Sequence, residues 1–355
     1  MGYFRVMRSI GIVEGFFGPE WPEAQRKSYS HFLSQVGGDF YIYAPKRDQH
    51  LRKGWRDTWN DSFTAKLKNL CAHFHQNGIE FGVGISPMGL GKILTPSDVK
   101  ILENKVRILQ DLGIDILGLF FDDMPVTENL ADTQISVMEV VKRVFRGKII
   151  FCPSFYSPDP ILDKVFGQRP SNYLEDIAEG IPENIAIAWT GPKVISPEID
   201  HQHLREVGQL LKRKPFIWEN IFANDGPRNC KFLKLRALTG RDHDFLQDTE
   251  ATAFNLMNQP ELSKILFLAS VLVLKNKQEP FKAFEEAIGQ LCSPEFGKFI
   301  LKNYEAFLRE GLDQFEESQR NQWITELSNF SDAGAQEIKD WLEGKYLVGP
   351  ECLTD

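Results

Sequence analysis

The sequence predicts an α/β fold, namely a (β/α)₈ barrel of the TIM type followed by a short C-terminal helical extension. Three observations support this prediction. Eight runs rich in Ile, Val, Phe and Tyr begin 30 to 41 residues apart, close to the roughly 30 residues of one strand–helix unit. The stretches between the runs carry apolar residues at helical spacing. Together the eight repeats match the size of a barrel domain, typically about 250 residues.

The eight apolar runs have no alternating polar face, which is typical of parallel strands buried on both sides. They begin at Ser9, Asp39, Glu80, Ile116, Ile149, Ile185, Pro215 and Ala251. The alternative α/β fold is a doubly wound open sheet, which usually carries a glycine-rich phosphate loop after its first strand. The residues at that place are GFFGPEW, from Gly15 to Trp21, and they do not form such a loop. The barrel is therefore favoured.

The predicted helices have recognisable beginnings. Thr95 followed by Pro96 predicts an N-cap and a first-turn proline. By the same criteria Asp61 is predicted to cap an earlier helix, and Ser196 with Pro197 to open a later one.

The chain is predicted to have two parts. Beyond Glu279 the apolar periodicity is helical over residues 280–291, 294–311 and 332–343, and no further strand is predicted. We therefore predict a barrel catalytic domain at 1–278 and a helical C-terminal extension at 279–355. The extension is too short to be expected to fold independently.

Composition and charge exclude several classes of protein. The 41 basic and 49 acidic residues give a net charge of −8, which argues against nucleic-acid binding. Five cysteines without a CxxC pair indicate neither a disulfide framework nor a zinc ribbon. No run reaches the roughly 18 apolar residues of a membrane span, and the N-terminus lacks a clear secretory signal. We expect a cytoplasmic protein that binds neither nucleic acid nor membranes, with its oligomeric state left open.

Polar and aromatic residues follow the predicted strands. The active site of a (β/α)₈ barrel lies at the C-terminal ends of its strands. The residues at these ends are Glu14-Gly15, Lys46-Arg47-Asp48, Ser86-Pro87, Asp122-Asp123, Tyr156, Trp189-Thr190, Trp218-Glu219-Asn220, Asn224-Asp225 and Asn255. Carboxylates, amides, aromatic rings and one lysine on a concave rim suit a sugar better than a phosphate or a cofactor.

The pair Asp122-Asp123 is the strongest catalytic candidate. It ends the apolar run ILGLFFDD, so both carboxyl groups are expected to be partly buried. Two carboxylates this close cannot both ionise easily, and their pKa values must separate. One is then held ionised, and the other is an acid near neutral pH.

We expect neither a metal nor a cofactor. The pairs His73-x-His75 and His201-x-His203 fall in predicted helices, where residues two apart face different directions. The chain contains no HExxH, Walker or GxSxG motif.

Six motifs carry a resemblance to a known family. They are GIVEGFFG, YIYAPKRD, LGLFFDDM, FCPSFY, WTGPKV and WENIFAND, in this order along the chain. They resemble the barrel motifs of the β-N-acetylglucosaminidases of glycoside hydrolase family 84, which includes the protein O-GlcNAcases. The resemblance spans about residues 9–275 and all eight predicted strands.

The resemblance implies retaining hydrolysis in which the substrate's own 2-acetamido oxygen is the nucleophile and an oxazoline is the intermediate. It implies that Asp122 orients the acetamido N–H and that Asp123 is the general acid and base. Tyr156 would bind the acetamido oxygen, and Trp218 would form a wall of its pocket. The residues implied to hold the sugar ring and its hydroxyls are Lys46, Asn220, Asp225, Asn255 and the backbone of Gly15.

The expected function is removal of terminal β-linked N-acetylglucosamine (GlcNAc) from a glycoside or a glycoprotein. Two alternatives stay open, namely a hyaluronidase-like hexosaminidase and a barrel that binds an N-acetylated sugar without hydrolysing it. The pair Asp122-Asp123 argues against the second. Residues 279–355 offer little additional surface, so we expect little dependence on the peptide sequence around the sugar.

Overall fold

A computed structural model describes residues 9–90, 93–242 and 244–354. Its eight strands form one closed barrel, in which they follow chain order and β8 pairs in parallel with β1. The strands are β1 (Ser9–Glu14), β2 (Phe40–Tyr43), β3 (Glu80–Ile85), β4 (Ile116–Phe120), β5 (Lys148–Cys152), β6 (Ala186–Trp189), β7 (Phe216–Glu219) and β8 (Ala251–Phe254). Closure of the sheet confirms the predicted (β/α)₈ barrel and excludes the doubly wound alternative.

Helices surround the barrel. The first eight are α1 (Glu23–Val36), α2 (Asp61–Gln76), α3 (Pro96–Asp111), α4 (Leu130–Val144), α5 (Pro160–Phe166), α6 (Tyr173–Gly180), α7 (His201–Leu210) and α8 (Pro260–Leu274). The connection from β5 to β6 carries two of them, α5 and α6. The connection from β7 to β8 carries short 3₁₀ turns at Asn229–Lys231 and Phe245–Gln247.

Two of the three predicted helix beginnings are wrong. Thr95 does cap α3, and it forms a reciprocal capping box with Asp98. The cap of α2 is Asn60 rather than Asp61, because the Asn60 side chain accepts a hydrogen bond from the backbone N–H of Phe63 at 2.8 Å. The third helix, α7, begins only at His201.

The displaced start of α7 has a local cause. The Ser196 hydroxyl closes a tight turn with Lys193, accepting from its N–H and donating to its carbonyl at 2.9 Å each. It is therefore not available to cap a helix. Asp200 takes this role, and its carboxylate accepts from the N–H of His203 at 2.7 Å.

Four helices follow the barrel: α9 (Pro280–Leu291), α10 (Pro294–Arg309), α11 (Glu317–Leu327) and α12 (Ala333–Leu342). Three of them match the predicted helical stretches to within two residues. Helix α11, ESQRNQWITEL, was not predicted, because it buries only Trp323 and Leu327 and has little apolar periodicity. The division at 278/279 stays a prediction.

Two of the later helices, α9 and α12, pack on α8, which buries thirteen of its fifteen residues. A helix that is apolar all round needs cover on both sides. The Glu337 carboxylate of α12 accepts hydrogen bonds from the backbone N–H groups of Glu261 and Leu262 at 2.9 Å each. The Trp341 indole of α12 also donates to the carbonyl of Cys230 at 3.0 Å. No helix within the described ranges is both long and apolar enough to cross a membrane.

Candidate active site

A pocket that is partly open to solvent lies at the C-terminal ends of the strands. All nine candidate residues from the sequence line it: Gly15, Lys46, Asp122, Asp123, Tyr156, Trp218, Asn220, Asp225 and Asn255. They come from six of the eight strands and the loops after them. The nine residues that the family resemblance implied therefore surround one continuous cavity at the strand ends.

The two adjacent carboxyl groups have different surroundings. The Lys46 ammonium contacts Asp122 Oδ2 directly and lies 3.8 Å from Asp123 Oδ2. The Tyr156 hydroxyl donates to Asp123 Oδ1 at 3.3 Å. Burial raises the pKa of Asp123, and the nearby Asp122 charge raises it further against the opposing effect of Lys46. Asp123 is therefore suited to hold a proton.

Asp123 also has an unusual backbone. Its φ of 60° lies in the left-handed region, which a residue other than glycine rarely adopts. Such a conformation costs of order 1–3 kcal/mol and persists only where the surrounding structure imposes it. Here it turns two successive side chains of one strand end into the same pocket.

The second oxygen of Asp122 is buried and lacks a protein partner. Among the described residues, Asp122 Oδ1 has no hydrogen-bond donor. A buried acceptor without a donor costs about 1–3 kcal/mol. A ligand N–H placed beside Asp122 would remove that cost, so the atom marks a position for a donor on the ligand.

An aromatic wall closes one side of the pocket. The Trp218 ring packs edge-on against Phe120, with ring centroids 5.1 Å apart and an interplanar angle of 73°. Phe120 in turn fills the space above Gly118, where a Cβ atom would lie 2.2 Å from its ring. A Cβ atom on Gly15 would lie 2.2 Å from Trp218 Cζ2, so only glycine fits there. The wall suits a small apolar group such as a methyl.

A chain of amides forms another side of the pocket. The Gly15 N–H donates to Asn255 Oδ1 at 3.3 Å, and Asn255 Nδ2 donates to Asn220 Oδ1 at 3.0 Å. Asn220 Nδ2 donates to the carbonyl of Val194 at 2.9 Å. These bonds fix both amide groups in one orientation, so they can recognise hydroxyl groups with little loss of entropy.

Two other strand-end carboxylates point away from the pocket. Glu14 and Glu219 are fully buried and form bidentate ion pairs with Arg26 and Arg241, with N–O distances from 2.6 to 2.9 Å. Because side chains alternate along a strand, Glu219 faces outward while Trp218 on the same strand faces the pocket. These two glutamates hold the strands to the surrounding chain.

Sequence reasoning missed several pocket residues. Cys152 and Val194 lie within the quoted motifs FCPSFY and WTGPKV, which could have indicated them. Cys352 and Thr354 also line the pocket, although no sequence pattern links them to the barrel. Within the ranges that the structure describes, no group of three or more His, Cys, Asp or Glu side chains is placed to hold a metal ion.

The pocket thus combines the buried acid Asp123, the neighbouring carboxylate of Asp122 with its unpaired oxygen, the apolar wall of Trp218, and the oriented amides of Asn220 and Asn255. This arrangement can protonate a leaving oxygen, polarise an N–H, enclose a methyl group and bind hydroxyls.

Comparison with known proteins agrees with this chemistry. The protein O-GlcNAcases of Rattus norvegicus and Mus musculus are each 33% identical over 236 residues, or 63% of this chain and 25% of theirs. The chain therefore spans about a quarter of the length of these relatives. A solved mutant of the Thermobaculum terrenum O-GlcNAc hydrolase superposes with a TM-score of 0.79 at 26% identity, covering 96% of this chain and 81% of that one.

A family model confirms the resemblance seen in the six motifs. The model described as beta-N-acetylglucosaminidase matches residues 10–304, which is most of the chain and includes all of the barrel strands except the first residue of β1. The chain belongs to this β-N-acetylglucosaminidase family.

Proposed function

We propose that this protein is a retaining glycoside hydrolase that removes terminal β-linked GlcNAc by substrate-assisted catalysis. The observation that carries the proposal is the unpaired, buried Asp122 Oδ1 beside the carboxyl of Asp123, whose pKa is raised by burial. A 2-acetamido N–H supplies the missing donor. No second carboxylate is then needed as nucleophile.

The proposed reaction has two steps. In the first, the acetamido carbonyl oxygen attacks the anomeric carbon, the bond to the leaving oxygen breaks, and Asp123 gives that oxygen its proton. Asp122 accepts the acetamido N–H and stabilises the positive charge that develops on the oxazolinium ring. In the second step water attacks the anomeric carbon, Asp123 takes its proton and the ring reopens. Two inversions retain the β configuration.

The names of the relatives suggest the class of substrate. Those from rat and mouse are named protein O-GlcNAcases, and we propose GlcNAc on Ser or Thr of proteins for this chain as well. The amide chain from Gly15 to Asn220 and the carboxylate of Asp225 supply the contacts to the sugar hydroxyls. The cytoplasmic location stays a prediction from the sequence.

Hydrolysis of aryl N-acetyl-β-glucosaminides by the unaltered chain and two variants tests the proposal. Asp123→Asn removes acid assistance, so kcat/KM should fall by about 10²-fold or more on a poor leaving group and far less on an activated phenol. Asp122→Asn should reduce both rates similarly. Asparagine tolerates the positive φ of Asp123, so this variant adds little backbone strain.

A matched control is Asp48→Asn. Asp48 is a buried carboxylate after β2 that accepts from the Tyr43 hydroxyl at 2.5 Å and lies outside the pocket. The kcat/KM of the Asp48→Asn variant should stay within about threefold of that of the unaltered chain. Equal losses in the two pocket variants on all leaving groups would contradict the assigned roles. Tight sugar binding without any hydrolysis would instead identify a binding barrel.

A further inference from the structure

Residues 347–354, called the strap below, run across the mouth of the pocket. Two strap side chains, Cys352 and Thr354, are among the residues that line it. The Cys352 thiol lies close enough to Asp225 and Asp123 for both carboxylates to raise its pKa, after the larger effect of burial. The strap therefore reaches over the groups that are proposed to hold the sugar and to donate the proton.

One buried side chain anchors the strap. Val348 is 7% exposed and packs with Phe17, which also lines the pocket, and with Cys230. Its backbone N–H donates to Cys230 Sγ at 3.4 Å. The fit is close, because a Cβ atom on Gly18 would lie 2.8 Å from Val348 Cγ2.

The remaining contacts of the strap are weak. Glu351 pairs with Arg47 at 3.2 Å, but the two side chains are 49% and 45% exposed. Exposed ion pairs of this kind contribute little to stability. Leu347 and Leu353 are 55% and 57% exposed, and the described strap residues form only turns. Cys352 packs against the same cluster as Val348 but is only partly buried. A segment held mainly by these two side chains can leave its position without unfolding the barrel.

We propose that the strap is an intramolecular competitor of the substrate, so that the pocket accepts a sugar only when the strap has moved aside. That the competing ligand is a sugar rests on the proposed function. If the strap-open state is a minor population, the apparent affinity for substrate falls by that fraction. The strap then raises KM, and it leaves kcat unchanged because a bound sugar already excludes it.

Kinetics of Val348→Ala test this inference. The substitution removes most of the anchor, so KM for an aryl N-acetyl-β-glucosaminide should fall about threefold to tenfold with kcat unchanged. Leu347→Ala is the matched control, because it shortens an exposed neighbour in the same segment and should change neither constant. An unchanged or higher KM in Val348→Ala, or a fall in kcat, would overturn the competitor role.

Thiol labelling gives a second measurement that requires binding but no hydrolysis. If ligand displaces the strap, a saturating thiazoline analogue of the oxazoline should speed the labelling of Cys352 by iodoacetamide at least fivefold. Cys292 is the internal control, since it is also partly exposed and lies outside the pocket. Its rate should not change. Slower or unchanged labelling of Cys352 would refute displacement and identify a wall that closes over the bound sugar.

The two proposals fail in different ways. If the analogue binds and the substrate is hydrolysed, yet neither KM nor labelling responds as expected, only the strap inference is lost. If the unaltered chain and Val348→Ala neither bind the analogue nor hydrolyse the glycoside, the proposed function itself is wrong.

Discussion

The carboxyl group of Asp225 lies in the pocket, where burial raises its pKa from 3.8 to about 6. The backbone N–H of Phe17 donates to it at 2.8 Å and opposes part of this shift. A carboxyl whose pKa is higher in the folded state binds more protons there than in the unfolded chain. Its contribution therefore lowers stability as pH rises from about 4 to about 6, and the full loss is present above pH 6.

Asp225→Asn should accordingly stabilise the protein at pH 7 while weakening sugar binding. The pKa shift corresponds to about 3 kcal/mol at most, and we expect a gain of about 1–3 kcal/mol in the free energy of unfolding. KM should rise about tenfold or more, because a charge-assisted bond to a sugar hydroxyl is lost. Urea unfolding at several pH values and steady-state kinetics measure both effects.

The pH dependence is the decisive control for Asp225→Asn. Its advantage in stability should shrink as pH falls from about 6 towards 4, where the carboxyl is protonated in the unaltered chain. Asp48→Asn should instead lower the stability at neutral pH, because the Asp48 carboxylate accepts hydrogen bonds from the Tyr43 hydroxyl and from the backbone N–H of His50. A loss of stability in Asp225→Asn at pH 7 would show that burial does not penalise this charge.

At the scale of elements, the end of β1 and the last residues of β7 fit closely against each other. Gly15 follows β1, and because it has no Cβ atom, the Trp218 ring can pack beside it and line the pocket. Phe120, at the end of β4, packs edge-on against the Trp218 ring. The aromatic wall thus depends on three strands that carry no common local signal.

Gly15→Ala should damage catalysis more than folding. The added methyl would meet the Trp218 ring at 2.2 Å and push it into the space of the acetamido methyl. Displacement of a binding wall by about 1 Å can reduce rates roughly 10²-fold, which is the loss in kcat/KM that we expect. Gly289→Ala in α9 is the control, because nothing lies within 4 Å of its added Cβ. Unaltered kinetics in Gly15→Ala would mean that Trp218 is not a wall of the sugar site.

At the scale of the whole molecule, the barrel and the later helices share α8. Its sequence PELSKILFLASVLVL is buried almost throughout, so one side needs the barrel and the other needs α9 and α12. The Glu337 contact with the start of α8 and the Trp341 contact with Cys230 hold α12 in place. The strap continues from this docked helix to the pocket.

A chain cut after residue 278 should therefore fail to fold as a soluble barrel, because one face of α8 would be exposed to water. A cut after Gly344 should fold, since it keeps α9 to α12 and removes only the segment that includes the strap. Soluble yield and cooperative thermal unfolding distinguish the two. A stable, active 1–278 fragment would establish the barrel as an independent domain.

Local patterns predicted the strands well and some helices less well. Every strand begins within one residue of its predicted run, because burial on both faces gives each strand an apolar sequence of its own. Helix α11 and the start of α7 escaped prediction. The first has a mostly polar sequence, and the second depends on a turn in which the Ser196 hydroxyl is already engaged.

By itself, the sequence determined the barrel, because strand burial and the direction of parallel strands are properties of short segments. The resemblance carried by the six motifs then identified the nine residues that gather at the strand ends. Only the tertiary structure decided which strand-end carboxylates face the pocket, as the outward ion pairs of Glu14 and Glu219 illustrate. It also decided that Asp122 Oδ1 lacks a partner and that Cys352 lies over the site. These facts are distances between segments far apart in the chain, and no local periodicity encodes them.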